Sequence, residues 1–420
     1  MVLAGTAAFC AYFAMYGFRK PFAVSTWESE PGIGAVELKT VLIVAQLAGY
    51  TASKFLGIRV CSGEGQRHRG WLLIGLILFA EAALLLLPLL PGPWKLLAMF
   101  LNGLPLGMVW GLVVSYLEGR RAADWLMAML SCSFILSSGA VKDAGRWVLS
   151  QGVPEAWMPA ATGALFIVPL VLAVALLERT PPPDAQDISE RSERSPMTPA
   201  QRLEFVRRFG PGLAMLIGCY LVLTAYRDVR DNFAVEVLAE LGALASVAAF
   251  TRTELPVTLG VIGAMGLLSL VRDNRSALTA TFVTMAGGMA LLGLSTLAHQ
   301  LGWISGVTWI VLTGLGAYAA YVPFNAVLFE RVVAATRSPG NAVFAIYLAD
   351  AFGYLGAVTV QVGRDVLFTG MSPTRFLTGF SYVLSALGTV LFVCAMVYFV
   401  SKLRPKPHDK AELRAGSVVA

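Results

Sequence analysis

Charge is scarce in this sequence. Asp, Glu, Lys and Arg together make up 14% of the 420 residues, against about 25% in soluble domains. Histidine is scarcer, with three copies, and the five cysteines (Cys10, Cys61, Cys132, Cys219, Cys394) are scattered. No disulfide framework or metal-ligand spacing follows from them. The sequence holds no Gly-x-x-x-x-Gly-Lys-Ser/Thr phosphate loop, no His-Glu-x-x-His and no Cys-x-x-Cys, so it offers no nucleotide, zinc or dithiol chemistry. No nucleophile–base set stands out either, so the reading is of a non-enzyme with no catalytic residue, no metal and no cofactor. The net charge of +6 does not indicate nucleic acid, because the basic residues sit at the ends of apolar runs.

Apolar residues are abundant, at 57%, and the mean hydropathy is +0.69. Spans of about 20 residues cross a bilayer. The pattern predicts twelve, at about 2–27, 38–58, 71–90, 96–117, 122–149, 156–177, 210–236, 252–271, 277–297, 303–329, 340–367 and 375–401. The first has no charged leader and no cleavage site and reads as a retained helix. Loops after even-numbered spans carry Arg59, Arg67, Arg69, Arg120, Arg121, Arg272, Arg275, Arg331 and Arg337, whereas the first odd loop is acidic, with Glu28, Glu30 and Glu37. The positive-inside rule then puts both termini in the cytoplasm. The expected organisation is a six-helix bundle over 1–177, a cytoplasmic linker over 178–209 that turns helical near 199–208, a second six-helix bundle over 210–401 and a cytoplasmic tail over 402–420.

The two halves repeat one another. Arg19-Lys20-Pro21-Phe22-Ala23-Val24 returns as Arg230-Asp231-Asn232-Phe233-Ala234-Val235. Leu117-Glu118 answers Phe329-Glu330, Gly139-Ala140-Val141 answers Gly356-Ala357-Val358, and Thr162-Gly163 answers Thr378-Gly379, in the same order. Parallel halves with a site between them are an established transporter plan. The expected fold is an all-α membrane protein, twelve transmembrane helices in two parallel six-helix halves.

Twelve spans, a central linker and parallel halves resemble the major facilitator superfamily. Ala14-Met15-Tyr16-Gly17-Phe18-Arg19-Lys20-Pro21-Phe22 and Ala52-Ser53-Lys54-Phe55-Leu56-Gly57 resemble the first- and second-helix motifs of its organophosphate:phosphate antiporters. That resemblance implies phosphate ligation by a first-helix and a seventh-helix arginine, here Arg19 and Arg227, with Arg230 the repeat-related alternative. Three antiporter features have no match: the fifth-helix histidine position is Phe134, the loop at 57–70 has no Asp-Arg pair, and the seventh-helix Asp-Trp-Ser-Pro run is missing. The whole chain is similar to an uncharacterised bacterial membrane family, domain of unknown function 5690, including Asn102-Gly103-Leu104-Pro105-Leu106-Gly107-Met108-Val109-Trp110-Gly111 and Tyr321-Val322-Pro323-Phe324-Asn325.

An ionisable side chain inside a membrane is expensive and marks function or a structural pair. Tyr12, Tyr16 and Arg19 share a face of the first helix, which Pro21, lacking a backbone donor, can kink. No acid lies within a turn of Arg19 or Lys20, so this helix brings uncompensated charge suited to an anion. Trp27 is expected as an interfacial anchor. In the seventh span Arg227 and Asp231 are spaced to pair, with Asp228 and Arg230 beside them, as an ion network or as substrate contacts. In the fifth span Asp143 is expected to pair with Arg146 or Lys20 and is the first candidate for proton coupling, next to Lys142. Asp350, between Tyr347 and Tyr354, is the second. Tyr318, Tyr321 and Asn325 form a cavity face or a set of interhelical hydrogen bonds. Lys54 is a vestibule or an interface lysine, and Glu118 and Glu330 lock gates or loops. Gly103, Gly107 and Gly111 form a packing stripe.

The reading is a multi-pass bacterial inner-membrane transporter, functional as a monomer in the lipid bilayer, that moves a small organic anion by alternating access. The anion bridges Arg19 and Arg227 or Arg230, and its transport is driven by anion exchange or proton symport. The rivals are a membrane sensor of the same anion and a transporter of a neutral solute.

Overall fold

The computed structural model describes residues 2–61, 68–117, 120, 123–181, 199–244, 248–271, 273–336 and 342–402. The helices are α1 (Val2–Met15), α2 (Leu38–Cys61), α3 (Arg69–Leu85), α4 (Lys95–Val114), α5 (Ala123–Ser150), α6 (Met158–Glu178), α7 (Pro199–Asn232), α8 (Ala234–Glu240), α9 (Ala249–Ser269), α10 (Asn274–Gln300), α11 (Gly306–Pro323), α12 (Phe329–Thr336), α13 (Ala342–Leu367) and α14 (Pro373–Lys402). Eight segments of the described chain are long and apolar enough to cross a membrane. Among the other expected spans, α2, α9 and α13 have the length, but they turn polar residues inward. Lys39, Gln46 and Ser53 on α2, Thr253 and Thr258 on α9, and Gln361, Arg364 and Asp365 on α13 are all buried. Helices facing a polar interior lose mean hydropathy while keeping an apolar outer surface.

The first expected span is broken. The α-helix stops at Met15, and two 3-10 turns follow at Tyr16–Phe18 and Pro21–Val24. Pro21 has no amide hydrogen to continue the ladder. Gly17 permits the close approach of α6, since a Cβ there would stand 2.4 Å from Phe166. Tyr12, Tyr16 and Arg19 therefore do not share one continuous helix face, and Arg19 lies in the break. Trp27 is not an interfacial anchor. It is 2% exposed, its ring N–H donates to the Phe22 carbonyl, and its backbone sits at φ 61°, a region a non-glycine residue occupies only when its surroundings hold it there.

The helix at the end of the linker runs without interruption into the seventh span as α7. The tenth span breaks after Pro323 into a π turn, Phe324–Leu328, before α12. Such turns cluster at functional sites. The four-residue glycine stripe does its packing work at Gly103 and Gly107, where a Cβ would strike the Gln46 and Tyr50 carbonyls of α2. Gly111 faces open space. Between the two halves of the chain, α5 lies against α9 and α2 against α13.

Candidate functional site

The break in the first span leaves backbone carbonyls without helical partners, and in a membrane these must find internal donors. Asn102 supplies one, donating from Nδ2 to the Phe18 and Ala80 carbonyls at 3.0 Å each. Gln46 donates from Nε2 to the Arg19 carbonyl at 2.9 Å and to Asn102 Oδ1 at 2.8 Å. These two amides fix the turn that carries Arg19.

The Arg19 guanidinium carbon lies 4.4 Å from the centre of the Tyr50 ring and 5.6 Å from that of Tyr16. Its Nε is buried without an acceptor. Among the described residues no carboxylate pairs with it. Arg227 comes from the other half, 4.3 Å from the centre of the Tyr321 ring. It donates to Asp228 Oδ1 from Nη2 at 2.8 Å and from Nε at 3.1 Å. Tyr16 lies within electrostatic reach of both arginines. The expected pairing of Arg227 with Asp231 does not form, because Asp231 faces the lysines of the opposite half.

Aromatic rings join the halves around these cations. Tyr12 packs on Trp110 at 5.0 Å, Trp110 on Phe134 at 6.4 Å, and Phe134 on Tyr318 at 6.0 Å and Tyr321 at 6.2 Å. Tyr50 meets Tyr354 at 5.6 Å. Tyr220 donates its hydroxyl proton to Asp350 at 2.5 Å, and its oxygen lies 3.1 Å from the Tyr321 hydroxyl. Asn325 lies half-buried in the π turn.

A second layer, a belt of ion pairs, crosses between the halves. Lys20 bonds Asp231 at 2.5 Å and Asn232 Oδ1 at 2.9 Å. Lys142 and Ser138 also bond the Asp231 carboxylate. Lys39 pairs with Glu236 at 2.5 Å, and Arg364 with Glu37 at 2.7 Å and Asp365 at 2.8 Å. Asp143 does not pair with Lys20. Its carboxylate accepts from the Phe250 and Thr251 amides and the Thr251 hydroxyl at the start of α9, where a helix N-terminus favours an anion. Arg146 donates to the Leu244 carbonyl at 2.9 Å. Arg230 is not at the central cluster. It is 4% exposed, pairs with Glu254 at 2.9 Å and donates to the Ile310 carbonyl. The belt borders a cavity of about 560 Å³ lined by Glu28, Glu37, Glu236, Glu240, Arg364 and Asp365, among others.

Glu330 is half-buried in the first turn of α12. Lys54 lies on α2, and Glu118 is outside the described residues, as are linker residues 182–198 and tail residues 403–420. Among the described residues, no group of three or more His, Cys, Asp or Glu is arranged to hold a metal. Tyr50, Tyr220 and Trp110 escaped sequence reading as parts of this cluster, because an aromatic residue in an apolar run carries no mark of its own; Phe134 stood there only as the place of an absent histidine and Tyr354 only as a neighbour of Asp350. Lys39, Glu236 and Arg364 carried such a mark, as charges at the ends of spans.

The fold matches solved membrane transporters over almost its whole length. A bacterial homolog of the human lysosomal transporter Spinster, inward-facing and unoccupied, matches with TM-score 0.56 and 14% identity, over 95% of this chain and 94% of that chain. The nucleoside transporter NupG matches with TM-score 0.59 and 12% identity, over 94% and 98%. A D-xylose–proton symporter matches with TM-score 0.59 and 16% identity, over 96% and 97%. At such identities the likeness is one of fold: an all-helical, multi-pass membrane protein with a fold like that of major facilitator transporters. The chain belongs to the family of unknown function DUF5690, whose profile matches residues 21–402. No curated protein matches it in sequence.

Proposed function

We propose that the chain is a secondary transporter of a small organic anion, carboxylated or phosphorylated, working by alternating access between its two six-helix halves. One observation carries this reading. Lys20, Lys39, Lys142, Arg227, Arg230 and Arg364 each meet a carboxylate, whereas Arg19, held at the break by Asn102 and Gln46, meets only tyrosine rings. Among the described residues its Nε lacks an acceptor, as does that of Arg230, but Arg19 also lacks the counter-charge that Arg230 finds in Glu254. A ligand anion would complete Arg19 with a bidentate contact, with Tyr16, Tyr50 and Tyr321 as walls and Arg227 drawn in from the other half.

With both termini cytoplasmic, as the arginine-rich loops favour, the ion-pair belt closes the outer end, and the protein resides in an inner membrane as a functional monomer. Asp143 is engaged by three donors in the belt. This leaves Asp350, bonded by Tyr220 beside Tyr321, as the residue to carry a coupled proton. Exchange for a second anion is the alternative driving force.

A second reading, a neutral ring-shaped solute, is favoured by the aromatic lining and by the neutralisation of Arg227 by Asp228. Two proteins of similar fold are a nucleoside transporter and a D-xylose–proton symporter. Reconstitution into proteoliposomes separates these readings. Uptake of a carboxylate or organic phosphate, lost in Arg19→Gln, supports the first. Uptake of a sugar or nucleoside retained in Arg19→Gln supports the second. Binding without uptake would make the protein a sensor.

A further inference from the structure

Asp231 is held the way a free carboxylate would be held. Its Oδ1 accepts from Ser138 and Lys142, and its Oδ2 accepts from Lys20 at 2.5 Å. Lys142 also reaches the Asp231 carbonyl at 2.6 Å. Every donor to this carboxylate belongs to the N-terminal half; the other half contributes Asp231 and the neighbouring Asn232 Oδ1, which also accepts from Lys20 at 2.9 Å. Ser138 and Lys142 stand one turn apart on α5, and Lys20 projects from the break after α1. The donors are already buried, with side-chain exposures of 7% for Lys20 and 3% for Lys142. Two ammonium groups converge on one carboxylate, so the receptor carries an excess of positive charge even when Asp231 fills it.

We propose that Lys20, Ser138 and Lys142 form a carboxylate receptor on the N-terminal half, that Asp231 is its tethered occupant, and that a small free carboxylate takes the same place when the halves separate at this end. The separation rests on the alternating-access reading; the receptor does not. Asp231 and the ligand exclude each other, so an arriving anion holds the belt open. Lys20 adjoins Arg19 in the chain, so an anion received here stands next to the unmatched cation of the central cluster. Once it moves inward, two bare lysines draw Asp231 back and the belt closes behind it. Charges that re-pair with a different partner in each state are a recognised switching device.

The test is chemical rescue in the purified full-length chain. Asp231→Ala removes the tethered occupant and leaves the receptor, and the probe is acetate, with chloride at equal ionic strength as the control. The expected result is a lowered Tm in Asp231→Ala that acetate raises towards wild type and chloride does not. Wild type should respond weakly, and Asp231→Ala combined with Lys142→Gln should not respond. Asp231→Ser, which keeps a polar group on α7 and still vacates the carboxylate's volume, is run in parallel in case the alanine variant does not fold. Equal responses to acetate and chloride in the variant that folds, or a response unchanged by Lys142→Gln, would overturn the receptor. No transport is measured, so failure of uptake in proteoliposomes leaves this result standing. Loss of the acetate response likewise leaves the Arg19 reading standing.

Discussion

Lys20 and Asp231 occupy equivalent places in the two copies of the repeated stretch, and their side chains meet at 2.5 Å. Two matching positions of the repeat thus meet, and the pair is complementary in charge. Asp231 also serves Lys142, so the three positions are unequal. Asp231→Asn strands two ammonium groups and should cost about 3–5 kcal/mol, the usual penalty for breaking a buried pair. Lys20→Gln and Lys142→Gln each leave Asp231 with a lysine and should cost less. Denaturation of the purified variants gives the ranking; equal losses at all three positions would count against Asp231 as the hub.

The two remaining belt pairs differ in exposure. The Glu37 side chain is 64% exposed where it meets Arg364, whereas Lys39 is 1% and Glu236 18% exposed. Glu37→Gln should change stability by about 0–1 kcal/mol, as exposed pairs do. Glu236→Gln leaves the buried Lys39 ammonium without its carboxylate and should cost several times more. Thermal denaturation of the two variants side by side reads the difference.

Asn102 holds the break that carries Arg19. Asn102→Ala leaves the Phe18 carbonyl without this donor and frees one amide hydrogen of Gln46. Each unsatisfied buried group costs about 1–3 kcal/mol. The variant should therefore lose both stability and ligand affinity, whereas Gly111→Ala, which meets open space, should lose neither. Affinity unchanged in Asn102→Ala would mean that the turn positions itself.

Much of the fold was legible because membrane spans announce themselves by length and apolarity. The repeat was legible because Arg19 and Arg230 sit in matching contexts. The break at Met15 was half legible: Pro21 signalled a kink, but the Gly17–Phe166 approach depends on α6, far along the chain. Pairing partners were the weak point. Spacing along the seventh helix suggested Arg227 with Asp231, and Asp143 was expected to meet Arg146 on its own helix or Lys20 across helices; spacing along one helix cannot see the opposite half. In the structure Asp231 meets Lys20 and Lys142 across the interface, and Asp143 meets the start of α9. Likewise Arg230 shares its repeat position with Arg19 but not its surroundings, because Glu254 on α9 pairs with it.

Tyr220 gives Asp350 a hydroxyl donor at 2.5 Å. If Asp350 carries the coupled proton, Asp350→Asn should abolish the effect of an imposed pH gradient on uptake while exchange between two anion pools persists. Tyr220→Phe should alter the pH dependence of uptake and leave binding of the anion at fixed pH nearly unchanged. Uptake in proteoliposomes with and without the gradient measures both.

The most direct test of the central claim is thermal stabilisation of the purified protein by a panel of small carboxylates, organic phosphates, sugars and nucleosides, in wild type and Arg19→Gln. A ligand at 100 times its Kd adds about 2.7 kcal/mol to a two-state protein. Arg19 as the ligand's cation predicts that an anion stabilises wild type and that the effect is lost in Arg19→Gln. Stabilisation by neutral compounds alone, equal in both proteins, would contradict it and make Arg19 a structural residue.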